Sequence, residues 1–201
     1  MVFGEEVRAA LLGALAAPLL ELAPPPQRAA WFAARLPSLA RLAKAGAQEG
    51  AAVAAAAERG ALCTKWAAYR LLEVMYRTLS RQELNAALEA AAGQLPRKNA
   101  DVMAQATRDA RGLAAQNAVC EAAARRVRCA AFSCVATLVR CTQATPKFYA
   151  VAIDSKDDRL WAGLVDPALP TDFDVAPAYA GEAARGAARA RLERARAALQ
   201  P

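Results

Sequence analysis

The side chains of this 201-residue chain that could carry chemistry are five cysteines, an Asp-Phe-Asp triplet and two runs of arginine. Cys63, Cys120, Cys129, Cys134 and Cys141 are odd in number and form no C-x-x-C pair. From Cys120 onward their spacings are nine, five and seven residues, which do not suit a tetrahedral zinc site. Cys134 and Cys141, seven apart, share one helix face, as core packing requires. The cysteines therefore read as reduced, partly buried thiols of an intracellular protein. Asp172-Phe173-Asp174 has the outward form of a metal-binding Asp-Phe-Gly, but it lacks the Gly and every companion motif. It reads as a loop with Phe173 packed inward. The chain contains no His. That removes Ser–His and Cys–His nucleophiles, His–metal sites and the His-Arg-Asp catalytic loop. No Gly-rich phosphate cradle occurs. No catalytic, cofactor-binding or metal-ligating residue is expected.

The arginines offer binding instead of catalysis. Arg125, Arg126 and Arg128 precede the most apolar part of their helix. Arg185, Arg189, Arg191, Arg194 and Arg196 dot the last one. At separations of four and seven, Arg185, Arg189 and Arg196 fall on one side of a helix and are the candidate contacts to phosphate or an acidic protein. No aromatic residue stands among them to stack on bases. The net charge of +7 permits an anionic partner, but Arg at helical spacing among Ala also reads as a solvated face.

The elements that carry these residues are helices. Apolar residues make up 56% of the chain and aromatics only 6%, because Ala, the best helix former, supplies much of the apolar count. Glu5 to Leu22 is expected to be a helix kinked or shortened by Pro18. Pro24 to Pro26 reads as a stiff connector. The helix from Gln27 to Ala45 should be interrupted at Pro37, and an Ala-rich helix from Glu49 to Arg59 should stop near Gly60. Thr64 then reads as an N-cap for a helix whose Trp66, Tyr69, Leu72, Tyr76 and Leu79 form one face. Ser80-Arg-Gln-Glu83 has the capping-box pattern and starts the next helix. From Asp101 to Thr142 the chain reads helical with a break at Gly112. Val119, Ala123, Val127, Ala130, Cys134, Leu138 and Cys141 form its apolar stripe. Pro167, Pro170 and Pro177 mark a loop before a final helix from Glu182 to Leu199. No stretch of alternating β-branched residues and no membrane span is visible. The fold class is all-α: antiparallel helices in a bundle or a HEAT-like α-solenoid.

Three stretches carry a family likeness. Thr64-Lys-Trp-Ala-Ala-Tyr-Arg-Leu-Leu-Glu-Val-Met-Tyr-Arg-Thr-Leu79, Arg125-Arg-Val-Arg-Cys-Ala-Ala-Phe-Ser-Cys134 and Lys147-Phe-Tyr149 resemble, in order and spacing, a middle helical-repeat region (CC3-type) of the DNA-dependent protein kinase catalytic subunit family. The resemblance covers residues 64 to 149 best and extends more weakly through Leu164-Val-Asp166 and Phe173-Asp-Val175. It divides the chain into generic helices over 1–60, a helical-repeat segment over 61–165, and a Pro-containing loop with an Arg-rich helix over 166–201.

The resemblance implies a HEAT-like scaffold segment of a nuclear Ser/Thr kinase that joins broken DNA ends, without kinase motifs of its own. It implies other helical repeats and the kinase region of a longer parent as partners, with the Ku heterodimer and DNA ends as further candidates. It also implies that this chain is a piece of that parent, with apolar edges where neighbouring repeats would stack. The alternative is a free-standing basic helical adaptor that binds nucleic acid or protein. Thr142-Gln143 is a Ser/Thr-Gln pair of the kind such kinases favour and otherwise reads as a plain helix end.

Overall fold

The computed structural model describes residues 4–44, 54–94 and 99–142, all within one compact unit, Met1–Val165. Among these residues every regular element is helical. They are α1 (Glu5–Ala10), a π-helical stretch (Leu11–Ala16), α2 (Ala17–Leu22), α3 (Pro25–Lys44), α4 (Ala55–Thr78), α5 (Arg81–Ala90), α6 (Asn99–Gly112), a 3-10 turn (Ala118–Cys120) and α7 (Glu121–Thr142). The protein is all-α and solenoid-like, and α4 is its hub. That helix packs against α1, α2, α3 and, most extensively, α7, while α6 packs on α7 and α3 packs on α5.

The stripe on α4 explains the hub. Tyr69, Leu72 and Tyr76 are fully buried and Leu79 nearly so, with Trp66 half-buried at the edge. They share one core cluster with Phe32 and Leu36 of α3 and with Val127, Cys134 and Leu138 of α7. The capping box is formed: Glu83 N donates to Ser80 Oγ at 3.3 Å, and Ser80 N donates to Glu83 Oε2 at 2.8 Å. The break at Gly112 is also present.

Four local expectations are corrected. First, α4 runs unbroken through Gly60 and Thr64. Gly60 is buried, and a lone Gly costs a helix only about 1 kcal/mol, which helix contacts easily offset. Second, Pro25 and Pro26 open α3 instead of forming a connector, since the first turn has no need of their missing N–H groups. Third, α3 continues past Pro37, losing one hydrogen bond inside a long helix whose Phe32, Leu36, Leu39 and Ala40 stay buried. Fourth, Val119 leaves the apolar stripe of α7. It sits in the 3-10 turn at 66% exposure, because the helical phase restarts at Glu121.

Pro18 changes the winding without breaking the helix. It lacks an N–H, and its ring crowds the carbonyl four residues back. The chain just before it loosens to π winding, with Ala17 N–H bonded to Leu12 O. The same stretch presses Gly13 against Trp66. A Cβ at residue 13 would lie 2.4 Å from Trp66 Cζ3, so only Gly fits there. Arg28 closes the far end, donating to the Glu21 and Ala23 carbonyls at 3.3 Å and to the Thr78 carbonyl at 3.1 Å. It thereby satisfies the C-terminal ends of α2 and α4.

Candidate functional site

Arg185, Arg189 and Arg196 lie outside the described residues, as do Asp172-Phe173-Asp174 and Lys147-Phe148-Tyr149. The other basic cluster is dispersed by its helix. Arg128 is buried, donating to Leu113 O and to Glu121 Oε1, each at 2.6 Å. It ties the start of α7 to the end of α6. Arg126 lies over the Trp66 ring, 4.6 Å from its centroid. Arg125 is half-buried. Arg126 and Arg128 are therefore engaged within the fold.

The structure instead brings together charged residues that α4 carries on its buried side. Lys65 Nζ stands 2.9 Å from Asp109 Oδ2 of α6. Gln105 Nε2 donates to Asp109 Oδ1 at 3.1 Å, and the Tyr69 hydroxyl donates to Oδ2. Lys65, Tyr69 and Asp109 are all buried. Burial, and then the Asp109 charge and hydrogen bond, hold the Tyr69 phenol far above its usual range, so it stays a donor. One turn further along α4, Glu73 accepts from Ser133 Oγ of α7 at 2.9 Å and from Arg70 Nη1 at 2.7 Å.

Glu58, two turns before Lys65, closes the link between α6 and α7. Its carboxylate accepts from Gln116 N at 2.6 Å, Asn117 N at 2.9 Å and the Asn117 side-chain amide. Burial pushes this carboxyl up. The bonds from the Asn117 side chain, the Gln116 and Asn117 amides and the Cys120 thiol pull it down further, leaving it below its ordinary value. A carboxylate against the backbone amides just before a helix is also the arrangement that the helix dipole favours.

These groups have the composition of an acid–base site but the geometry of a clamp. Each carboxylate faces donors of the fold. Cys134, buried beside Glu73, has its thiol pushed far up by burial and by that charge, the opposite of what a nucleophilic thiol needs. Among the described residues no cluster of potential metal ligands occurs, and no helix is long and apolar enough to cross a membrane. A shallow groove of about 10 Å³ lies between α4 and α7, lined by Leu62, Cys63, Trp66, Ala123 and Arg126. Its walls are apolar except for the guanidinium.

The buried charges carry a signal in the sequence that belongs to no motif. Glu58, Leu62, Lys65, Tyr69, Leu72 and Tyr76 follow one another at four, three, four, three and four residues. Two charges therefore sit in register with the apolar stripe. The partner Asp109, forty residues on from Tyr69, has no such signal.

A protein-family model, the DNA-dependent protein kinase catalytic subunit, CC3, matches residues 8–187. No curated protein and no solved structure matches the chain.

Proposed function

Because the chain belongs to the CC3 family of the DNA-dependent protein kinase catalytic subunit, we propose that it is a non-catalytic scaffold segment of a kinase that acts in the repair of DNA double-strand breaks by end joining. The observation that carries this reading is the family match over residues 8–187, a helical region distinct from the kinase domain. The interior supports it. The Lys65–Asp109 ion pair joins α4 to α6 and the Ser133–Glu73 hydrogen bond joins α4 to α7, fixing these helices against one another as a scaffold repeat requires. In this reading the segment works in the nucleus, the phosphotransfer chemistry belongs to another part of a longer parent, and neighbouring helical repeats are the nearest partners. The Ku heterodimer and DNA ends are partners of the whole assembly.

Immunoprecipitation through this segment, from cells carrying broken DNA, tests the proposal. Recovery of Ku together with DNA-stimulated Ser/Thr kinase activity is the expected result. A precipitate with neither, from cells whose end joining is unimpaired by loss of the gene, overturns it. The alternative, a free-standing basic adaptor, is weakened by Arg126 and Arg128, which are engaged within the fold. It predicts a salt-steep affinity of the pure chain for DNA that disappears when Arg185, Arg189 and Arg196 are replaced.

A further inference from the structure

Four of the described helices close a ring: α3 packs on α4, α4 on α7, α7 on α6 and α6 back on α3. Among the described residues α4 and α6 do not pack closely on one another, so they stand at opposite corners. The sides of the ring are apolar, with Leu36 of α3, Leu72 of α4, Ala106 of α6 and Leu138 of α7 in one core.

The polar bonds of the interior run across the ring. Lys65 and Tyr69 of α4 reach Asp109 of α6, and further along α4 the Tyr76 hydroxyl donates to Asn99 Oδ1 at 3.0 Å. Before them, Glu58 holds Asn117 in the link that leaves α6. Partner numbers fall as α4 rises: 58 meets 117, 65 and 69 meet 109, and 76 meets 99. This is a ladder between two antiparallel segments, spread over about 27 Å of α4.

Apolar packing leaves one freedom that the ladder removes. The stripe at Leu62, Tyr69, Leu72, Tyr76 and Leu79 repeats with every turn of α4. A slide of one turn, about 5.4 Å, sets apolar side chains on apolar side chains again, each ridge entering the next groove. The same slide carries Lys65 Nζ from 2.9 Å to beyond bonding range of Asp109 Oδ2. It strands two charged side chains that are 5% and 4% exposed, and it takes the Tyr76 hydroxyl from Asn99. Stranded buried charges cost far more than a displaced leucine. The ion pair along a side of the ring, Lys44 with Asp101 at 3.6 Å, has no such hold, because its lysine is half exposed.

We propose that these bonds are a diagonal brace, which selects one register of α4 against α6 and thereby one shape of the ring. A frame of four sides hinged at its corners shears, and a diagonal stops it. The brace acts on shape and not on overall stability, since a buried pair adds little over apolar residues of the same size. The inference does not depend on the family reading.

Amide NMR spectra of the 201-residue chain test the proposal. The variant Lys65→Met, Tyr69→Phe, Asp109→Leu, Tyr76→Phe, Asn99→Ala replaces both rungs between α4 and α6 with apolar side chains. Its urea midpoint should match or exceed that of the parent, while the amide resonances of α4 and α6 double or broaden as registers exchange. Restoring Lys65, Tyr69 and Asp109 should return a single sharp set. A variant that keeps one sharp set and the parent's nuclear Overhauser contacts between α4 and α6 overturns the proposal, because apolar packing then selects the register alone. A variant that no longer folds cooperatively overturns it too, because the bonds then hold the bundle together. Broadening that persists once the Asp109 rung is restored removes that rung from the brace.

Discussion

Asp109 accepts from Lys65, Tyr69 and Gln105 while only 4% exposed. A buried ion pair adds little net stability, because desolvation offsets the attraction, but removing one member strands the other. Asp109→Ala should therefore cost about 3–5 kcal/mol in urea unfolding. The double variant Lys65→Met, Asp109→Leu should recover much of that loss. If the two single losses simply add, the pair is not coupled. Glu58 gives a pH signature. Its carboxyl is held below the ordinary value of 4.5, so its bonds to the Gln116 and Asn117 amides stabilise the fold fully above pH 4.5. That stabilisation is lost as the pH falls through the lower, folded-state value. Glu58→Gln should accordingly melt below the parent chain at pH 7, with the gap closing as acid titrates the parent. A gap that widens in acid would contradict the assignment.

At the scale of elements, the Gly13–Trp66 contact joins the π stretch to α4. Gly13→Ala places a methyl at 2.4 Å from the ring, and overpacking of this kind costs about 1–3 kcal/mol. Combined with Trp66→Ala the penalty should shrink, which a double-mutant cycle measures. Much of the element plan was legible in sequence, because it rests on local chemistry. The Ser80–Glu83 box and the spacing of Tyr69, Leu72 and Tyr76 need only their own neighbours. The all-α class was legible for the same reason, while the family likeness of residues 64 to 149 rested on three motifs in matching order and spacing. What local chemistry could not show was tertiary override. Gly60 and Pro37 look like breaks and Thr64 like a helix start until the burial that carries the helices through them is known. The clamp itself was half visible: Glu58 and Lys65 sit in core register, but nothing near Asp109 points to Tyr69 forty residues earlier.

At the scale of the molecule, α4 joins the N-terminal helices and α6–α7 in one core. Leu72, fully buried on α4, tests that unity. Leu72→Ala should cost about 2–5 kcal/mol, and hydrogen exchange should quicken together in α3 and α7 instead of in one of them. Exchange quickening on one side alone would mean that the two halves open separately. The π stretch has a consequence for how this sequence can vary. Deleting one residue between Leu11 and Ala16 would restore ordinary winding and leave the phase of Ala17 to Leu22 nearly unchanged, because five steps of about 100° turn through the same angle as six slower ones. Ala17 would stay toward the core and Leu19 on the exposed side. The loss of one residue is absorbed in this segment, whereas the same loss in the ordinary α-helix beyond it would turn the following face by about 100°.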